Sequence, residues 1–307
     1  MVLLRVVLAL VGLVVVVGGS QTAAQKFSDW SAPVNLGPIV NSGATDAAPA
    51  ISKNGRSLYF NSNRPGGAGG NDLWVSQWNE STDSWDFPVN LGVVVNTAGI
   101  EASPALSRDG HWLFFHSNRN GNMDIWISYR AHTHDDFAWE PPVNAGPGVN
   151  SLFEESMGGF FEGDDAGEAQ IFFASNRPFG VGGFDLYTSS LREDGTFGPA
   201  LLIVELSSAA ADPGWMLSFN GLEAFFFSGR PGGSGGQDLW TATRETVFDP
   251  WSAPVNLGRL VNSATIDQRP YLASDRQTLF FGSDRPGGYG GVDLYVTSRV
   301  KHGGRSR

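Results

Sequence analysis

SNRPGGAGGNDLW, Ser62 to Trp74, is a phrase that the chain repeats. It returns as SNRNGNMDIW from Ser117, SNRPFGVGGFDLY from Ser175, SGRPGGSGGQDLW from Ser228 and SDRPGGYGGVDLY from Ser283. Its arginines, Arg64, Arg119, Arg177, Arg230 and Arg285, are spaced 55, 58, 53 and 55 residues apart. A second phrase keeps the same period: WSAPVNLG from Trp30, WDFPVNLG from Trp85, WEPPVNAG from Trp139, the degenerate FGPALLIV from Phe197, and WSAPVNLG from Trp251. A third element is an acid five residues after a loop residue. Asn41 leads to Asp46, Asn96 to Glu101, Asn150 to Glu155, Ser207 to Asp212 and Asn262 to Asp267. Fixed-period self-similarity of this kind marks a repeat architecture.

Each repeat holds four strand-like pieces. In the first they are Ala48–Ser52, Ser57–Ser62, Asp72–Trp78 and Trp85–Leu91. Short runs rich in β-branched and aromatic residues, bounded by Gly, Pro and Asn, read as strands. No stretch after residue 25 shows a sustained helical period. Five four-stranded units predict an all-β, five-bladed β-propeller with antiparallel blades. The chain opens on an outer-strand phrase and ends after a third-strand phrase. Pairing the two closes the ring and removes two exposed edges. The expected domain is 25–300, with repeats near 46–91, 101–145, 155–203, 212–257 and 267–300. The closing strand is 30–36, and 301–307 is expected to be a loose basic tail.

Composition narrows the function. The chain has 307 residues, 40 of them Gly, no Cys and a formal charge of -11. Disulfide scaffolds and cysteine nucleophiles are excluded, and a net acidic chain repels nucleic acid. Residues 1–24 carry one charge, Arg5, then an apolar run from Val6 to Val17 and small residues up to Ala24. That is the order of a secretory signal peptide, and its apolar run is too short to span a bilayer. The mature chain, from Gln25, is expected in the periplasm or outside the cell, with no membrane span.

The phrases P-x-[IL]-S-x-[DN]-G-x-x-[LI]-[FY]-F-x-S-x-R and D-[LI]-[WY] resemble the WD-like β-propeller repeats of the TolB type, across essentially the whole mature chain. The resemblance implies an exported propeller that makes protein contacts at the periplasmic side of an envelope complex. As a guide to function it is weak, because propellers host many unrelated activities.

The recurring polar residues offer two candidate sets. The Arg and Asp of the main phrase stand eight apart in four blades: Arg64/Asp72, Arg177/Asp185, Arg230/Asp238 and Arg285/Asp293. They stand five apart in Arg119/Asp124. They flank one Gly-rich loop, which either an Arg–Asp pair or an Asp capping loop N–H groups would pin. The second set is Asp46, Glu101, Glu155, Asp212 and Asp267. Each precedes the first strand of a blade, which lines a propeller's channel. Five carboxylates at one mouth would repel unless neutralised, and would suit Ca2+ or a cationic group of a partner. The alternative is that each bonds only to local N–H groups or an Arg of its own blade. The second- and third-strand aromatics read as core, and the opening tryptophans as blade packing or ligand stacking.

Enzyme signals are thin. The five histidines do not recur by blade, His132-x-His134 and the acidic turn with Asp164, Asp165 and Glu168 read as solvated, and no nucleophile elbow occurs. No cofactor is required. The leading expectation is a non-enzymatic binding or scaffold propeller with an envelope or extracellular protein partner. A glycoside hydrolase or lyase using channel-mouth carboxylates and a multivalent lectin for glycans are the alternatives.

Overall fold

The computed structural model describes residues 27–163 and 168–302, so the expected signal peptide, Asp164 and Asp165 lie outside the described residues. Every regular element among the described residues is a strand, and the strands form five antiparallel sheets. Blade 1 runs Asp46–Ile51, Ser57–Ser62, Asp72–Asn79 and Val89–Asn90. Blade 2 runs Glu101–Leu106, Trp112–Ser117, Asp124–Tyr129 and Val143–Asn144. Blade 3 runs Glu155–Phe161, Gln170–Ser175, Asp185–Ser190 and Leu201–Leu202. Blade 4 runs Gly214–Leu217, Glu223–Ser228, Asp238–Thr243 and Val255–Asn256. Blade 5 runs Asp267–Leu272, Thr278–Ser283 and Asp293–Ser298, and takes its fourth strand, Val34–Asn35, from the chain's beginning.

That borrowed strand closes the ring. Val34 pairs with Val296 and Asn35 with Tyr295. The Ser28, Ser31 and Leu36 N–H groups donate to the Val300, Ser298 and Leu294 carbonyls at 2.8, 2.7 and 3.0 Å. The first strand of each blade packs against the first strand of the next, and that of blade 5 against that of blade 1. The outer strands are shorter than the sequence suggests, two residues each, and in blade 1 Trp85 instead pairs with Trp78 in a separate hairpin. Lys301 bridges Phe27, so the expected tail begins inside the closure.

The aromatic pairs of the second strands and the single aromatics of the third strands are all buried between blades. Of the repeated tryptophans, Trp30 and Trp139 are buried, while Trp85 and Trp251 keep partial exposure. An arginine after the third strand lies over three of them: Arg130 over Trp139, Arg244 over Trp251 and Arg299 over Trp30, at 4.3, 4.3 and 4.6 Å. These contacts favour packing over ligand stacking for that set.

The Gly-rich loop staples each blade to the next. The Gly70, Gly236 and Gly291 N–H groups donate to the Gly99, Thr265 and Ala44 carbonyls at 2.7, 2.8 and 3.0 Å. A Cβ at Gly235 would stand 2.0 Å from the Thr265 carbonyl oxygen, so only glycine permits this approach.

A second staple joins blades 1 and 2. Asp136 sits in the turn expected to be solvated, and His132, His134 and Asp135 there are exposed. Asp136 itself is buried, and accepts hydrogen bonds from Tyr59 Oη at 2.6 Å, Ser57 Oγ at 2.7 Å, Gln77 Nε2 at 2.8 Å and Arg130 Nη1 at 2.9 Å. Burial works to raise this carboxyl, but the bonds from Tyr59, Arg130, Gln77 and Ser57 outweigh it and hold it below the ordinary value. A carboxyl depressed in the folded state contributes stability above its unfolded pKa and loses it as pH falls through the folded value. Asp136→Asn is therefore expected to destabilise the protein at neutral pH, with the gap to wild type narrowing below about pH 4. Urea unfolding across a pH series reads this directly.

Candidate functional site

Strand order fixes which residues share a face. The loops entering the first strands and the Gly-rich loops joining second and third strands emerge on one side, here the loop face. Asp46 pairs with Ser62 across the first hairpin, so Arg64, just beyond Ser62, arrives beside Asp46. The same pairing recurs as Glu101 with Ser117, Glu155 with Ser175 and Asp267 with Ser283, while in blade 4 the strand begins at Gly214 and Asp212 lies just before it. Arg64, Arg119, Arg177, Arg230 and Arg285 meet Asp46, Glu101, Glu155, Asp212 and Asp267 at 2.5, 3.3, 2.9, 2.7 and 2.6 Å. The five acids are 0% exposed. Each arginine also donates to a carbonyl of the entering loop, as Arg230 does to Leu206 at 2.5 Å. Each lies over two aromatic rings of its own blade, as Arg64 does over Phe60 and Trp74.

The carboxylates are filled from within. Asp46 Oδ2 accepts from the Ser42 N–H at 2.6 Å and Ser42 Oγ at 2.8 Å, while Oδ1 takes Arg64. Glu101 accepts from the Thr97 N–H, Thr97 Oγ1 and Ser117 Oγ, and Glu155 from the Ser151 N–H, Ser151 Oγ and Ser175 Oγ. Asp267 accepts from the Ser263 N–H and Oγ, and Asp212 from the Ser208 N–H. Each acid is thus held by its own blade, and no group of three or more His, Asp or Glu able to hold a metal occurs among the described residues. The five acids sit apart, each paired with the arginine of its own blade.

The second set also resolves into separate roles. Asp72, Asp185, Asp238 and Asp293 do not pair with the arginines eight residues earlier; they cap the Gly-rich loop. Asp72 accepts from the Ala68 and Gly69 N–H groups, Asp185 from Val181 and Gly182, Asp238 from Ser234 and Gly235, and Asp293 from Tyr289 and Gly290. The Asn of the PVN phrase adds a donor: Asn90 to Asp72, Asn256 to Asp238 and Asn35 to Asp293, at 2.8, 2.9 and 3.0 Å. Asp124 stands apart. Its loop is three residues shorter, its Oδ1 is buried without a partner, and burial raises its carboxyl despite the bond from Asn144.

What differs between blades lies in the channel. The residue two past each acid is Ala48, Ser103, Met157, Gly214 and Arg269. Ala48, Ser103 and Arg269 have φ of 53°, 51° and 53°, each immediately before a proline. The ladder shifts register there, between Ala47 and Ala50, Ala102 and Ala105, and Gln268 and Tyr271. Such bulges re-aim side chains, and non-glycine residues at positive φ hold strain of about 1–3 kcal/mol that clusters at functional positions. Here they line a funnel opening from the loop face, whose walls include Pro49, Pro104, Trp215, Phe227 and Pro270. Among the described residues lining it, Arg269 is the only charged one. Burial pushes its guanidinium down to about 10, which leaves it charged at neutral pH. His116, buried beside the channel, is held well below its ordinary value by burial and then by the Arg269 charge. Tyr271 forms the floor, and a depression on the opposite face, lined by Arg108, Glu162 and Ser218 among others, ends at the same ring.

No family model matches the sequence, and no curated protein matches it. Solved structures match the fold. The α-L-arabinofuranosidase PaAbf62A of Podospora anserina, in complex with cellotriose, is 12% identical with a TM-score of 0.58, covering 90% of this chain and 98% of that one. A putative TolB from Agrobacterium tumefaciens is 13% identical with a TM-score of 0.50, covering 91% and 100%. This chain spans 55% of the length of TolB from Acinetobacter baumannii, at 15% identity, a TM-score of 0.49 and 85% of this chain. At such identities the likeness shows a propeller fold shared by TolB-like and glycoside hydrolase proteins, and no more.

Sequence reasoning passed over the funnel because it followed what recurs. The usable signal was the opposite one: a position that changes from blade to blade while its neighbours stay fixed.

Proposed function

We propose that the chain is a non-enzymatic binding propeller, acting outside the cytoplasm, that engages an envelope or extracellular protein through its loop face. The carrying observation is the character of the loop tips there. Leu152 and Phe179 are 95% and 97% exposed, and Val93, Val204, Leu260 and Tyr289 are exposed on the same face. Large apolar side chains left in water around a concave centre are the chemistry of a docking surface. The export expectation is supported by the sequence of residues 1–24.

A glycoside hydrolase requires two carboxyls about 5–9 Å apart, one acting as acid and the other as base or nucleophile. The five repeated acids are occupied in buried ion pairs, and the described funnel lining carries none. The test combines capture and turnover. The mature chain is expected to retain a defined partner from envelope extracts, and the exposed-site double variant Leu152→Ser/Phe179→Ser is expected to lose it. The same preparation is expected to release no reducing sugar from arabinoxylan, galactan or xylan. Equal capture by the double variant, or sugar release proportional to protein, overturns the reading.

A further inference from the structure

The loop-face funnel holds a cation that meets no carboxylate among the described residues. Each arginine of the repeated phrase has a buried carboxylate, and Arg130, Arg276 and Arg299 also meet acids. Arg269 meets none. Its Nη1 donates to Ser156 Oγ at 2.7 Å, and its guanidinium lies 5.1 Å over the Phe227 ring. Blade 4 makes room for it. A Cβ at Gly214 would stand 3.1 Å from Arg269 Nη1 and 2.9 Å from Phe227 Cε1.

Across the same funnel lies a second unmatched group. Ser103 is 6% exposed, and its Oγ is buried with no hydrogen-bond partner. A buried hydroxyl left without a partner is costly, and a ligand acceptor would relieve it. Both side chains are brought to the funnel by the same strained bulge, in blades 2 and 5. A guanidinium fork and a hydroxyl donor in a concave, largely apolar wall are the groups that recognise a planar anion. The cavity is small, about 20 Å³, room for little more than one water-sized group. That size suits the end of a ligand and not its whole body.

We infer that the funnel binds a carboxylate group, with Arg269 as the ionic anchor and the Ser103 hydroxyl as second donor. This rests on the binding reading above and names the chemistry of its centre. The carboxylate is that of a uronic acid or of a peptide terminus, and the probes below separate the two sources.

Titration calorimetry of the mature chain at neutral pH tests it. The probes are D-glucuronate and N-acetylalanine, their neutral counterparts methyl glucoside and N-acetylalaninamide, and sulfate. At least one carboxylate is expected to bind, with its neutral counterpart and sulfate at least tenfold weaker; the tighter carboxylate identifies the source. Arg269→Gln is expected to weaken binding at least tenfold and Ser103→Ala severalfold. Arg56→Gln, an exposed change on the opposite face, is expected to leave it unaltered. If Arg269→Gln does not fold, Ser103→Ala and Arg269→Lys carry the comparison. Silence of both carboxylates, sulfate binding as tightly, or binding unaffected by these funnel variants overturns the inference. Partner capture without carboxylate binding would sink this inference alone, whereas sugar turnover would sink the binding reading.

Discussion

Replacing Arg230 by alanine is expected to destabilise the propeller by about 3–5 kcal/mol, the largest loss among the five equivalent arginines. The reason lies in the acid left behind. Asp212 is 0% exposed, and besides Arg230 only the Ser208 N–H donates to it among the described residues. Removing Arg230 also removes the bond to the Leu206 carbonyl and the contact with the Phe226 ring at 4.7 Å. A buried carboxylate stripped of its partner and most of its donors is poorly tolerated. Arg119→Ala makes the contrast. Its pair with Glu101 is longer, 3.3 Å, and Glu101 keeps three donors from Thr97 and Ser117. The expected loss there is about 1.5–3 kcal/mol, the scale of one hydrogen bond to a charged group. Urea unfolding of the two variants reads the difference as a change in midpoint at constant slope. Equal losses would mean that the number of donors on each acid does not set the effect.

Removing residues up to Leu36 from the mature chain is expected to abolish cooperative unfolding and to leave an aggregating protein. The deletion strips the outermost strand from blade 5 and leaves the edge Asp293–Ser298 open to other chains. It also removes Phe27 and Trp30, buried against Arg299, with Trp30 edge-on to Phe225 at 6.0 Å between centroids. Arg299 and Arg276 both pair with Glu223 of blade 4, so the closing segment lids an ion cluster joining two blades. Losing a buried aromatic typically costs about 3–5 kcal/mol. Two such losses rival the whole stability of a domain, about 5–15 kcal/mol. Size-exclusion chromatography and circular dichroism check it. A monomer with the native melting transition would show that the ring does not depend on its closure. Trp30→Ala alone is the milder form, with an expected loss near one aromatic.

The fold was legible because its determinants recur. Five copies of one loop phrase give the blade count, and the phase of the first and last phrases gives the closure seen at Val34 and Val296. The pairing of acids with arginines was half legible. Counting along the chain puts Asp72 beside Arg64, eight residues away across a loop, whereas the hairpin register brings Asp46 there from 18 residues before. Antiparallel pairing carries that information, and residue spacing does not. Asp136 was hidden for a different reason. Its turn looks solvated in composition, yet Arg130 and Tyr59 draw that one carboxylate inward from its exposed neighbours. The funnel was the least legible part. Arg269 reads as one more strand residue until the positive φ before Pro270 turns it toward the axis, and no periodicity foretells such a turn.

On the reading proposed above, the repeated carboxylates hold the fold together and the unrepeated channel residues do the binding. Thermal unfolding of the mature chain in millimolar calcium and in chelator tests it most directly. Carboxylates closed by their own blades offer a cation no site, so the two midpoints are expected to coincide. A midpoint several degrees higher in calcium, the mass-action signature of a ligand bound to the folded state, lost together with Asp46→Asn or Asp267→Asn, would contradict it.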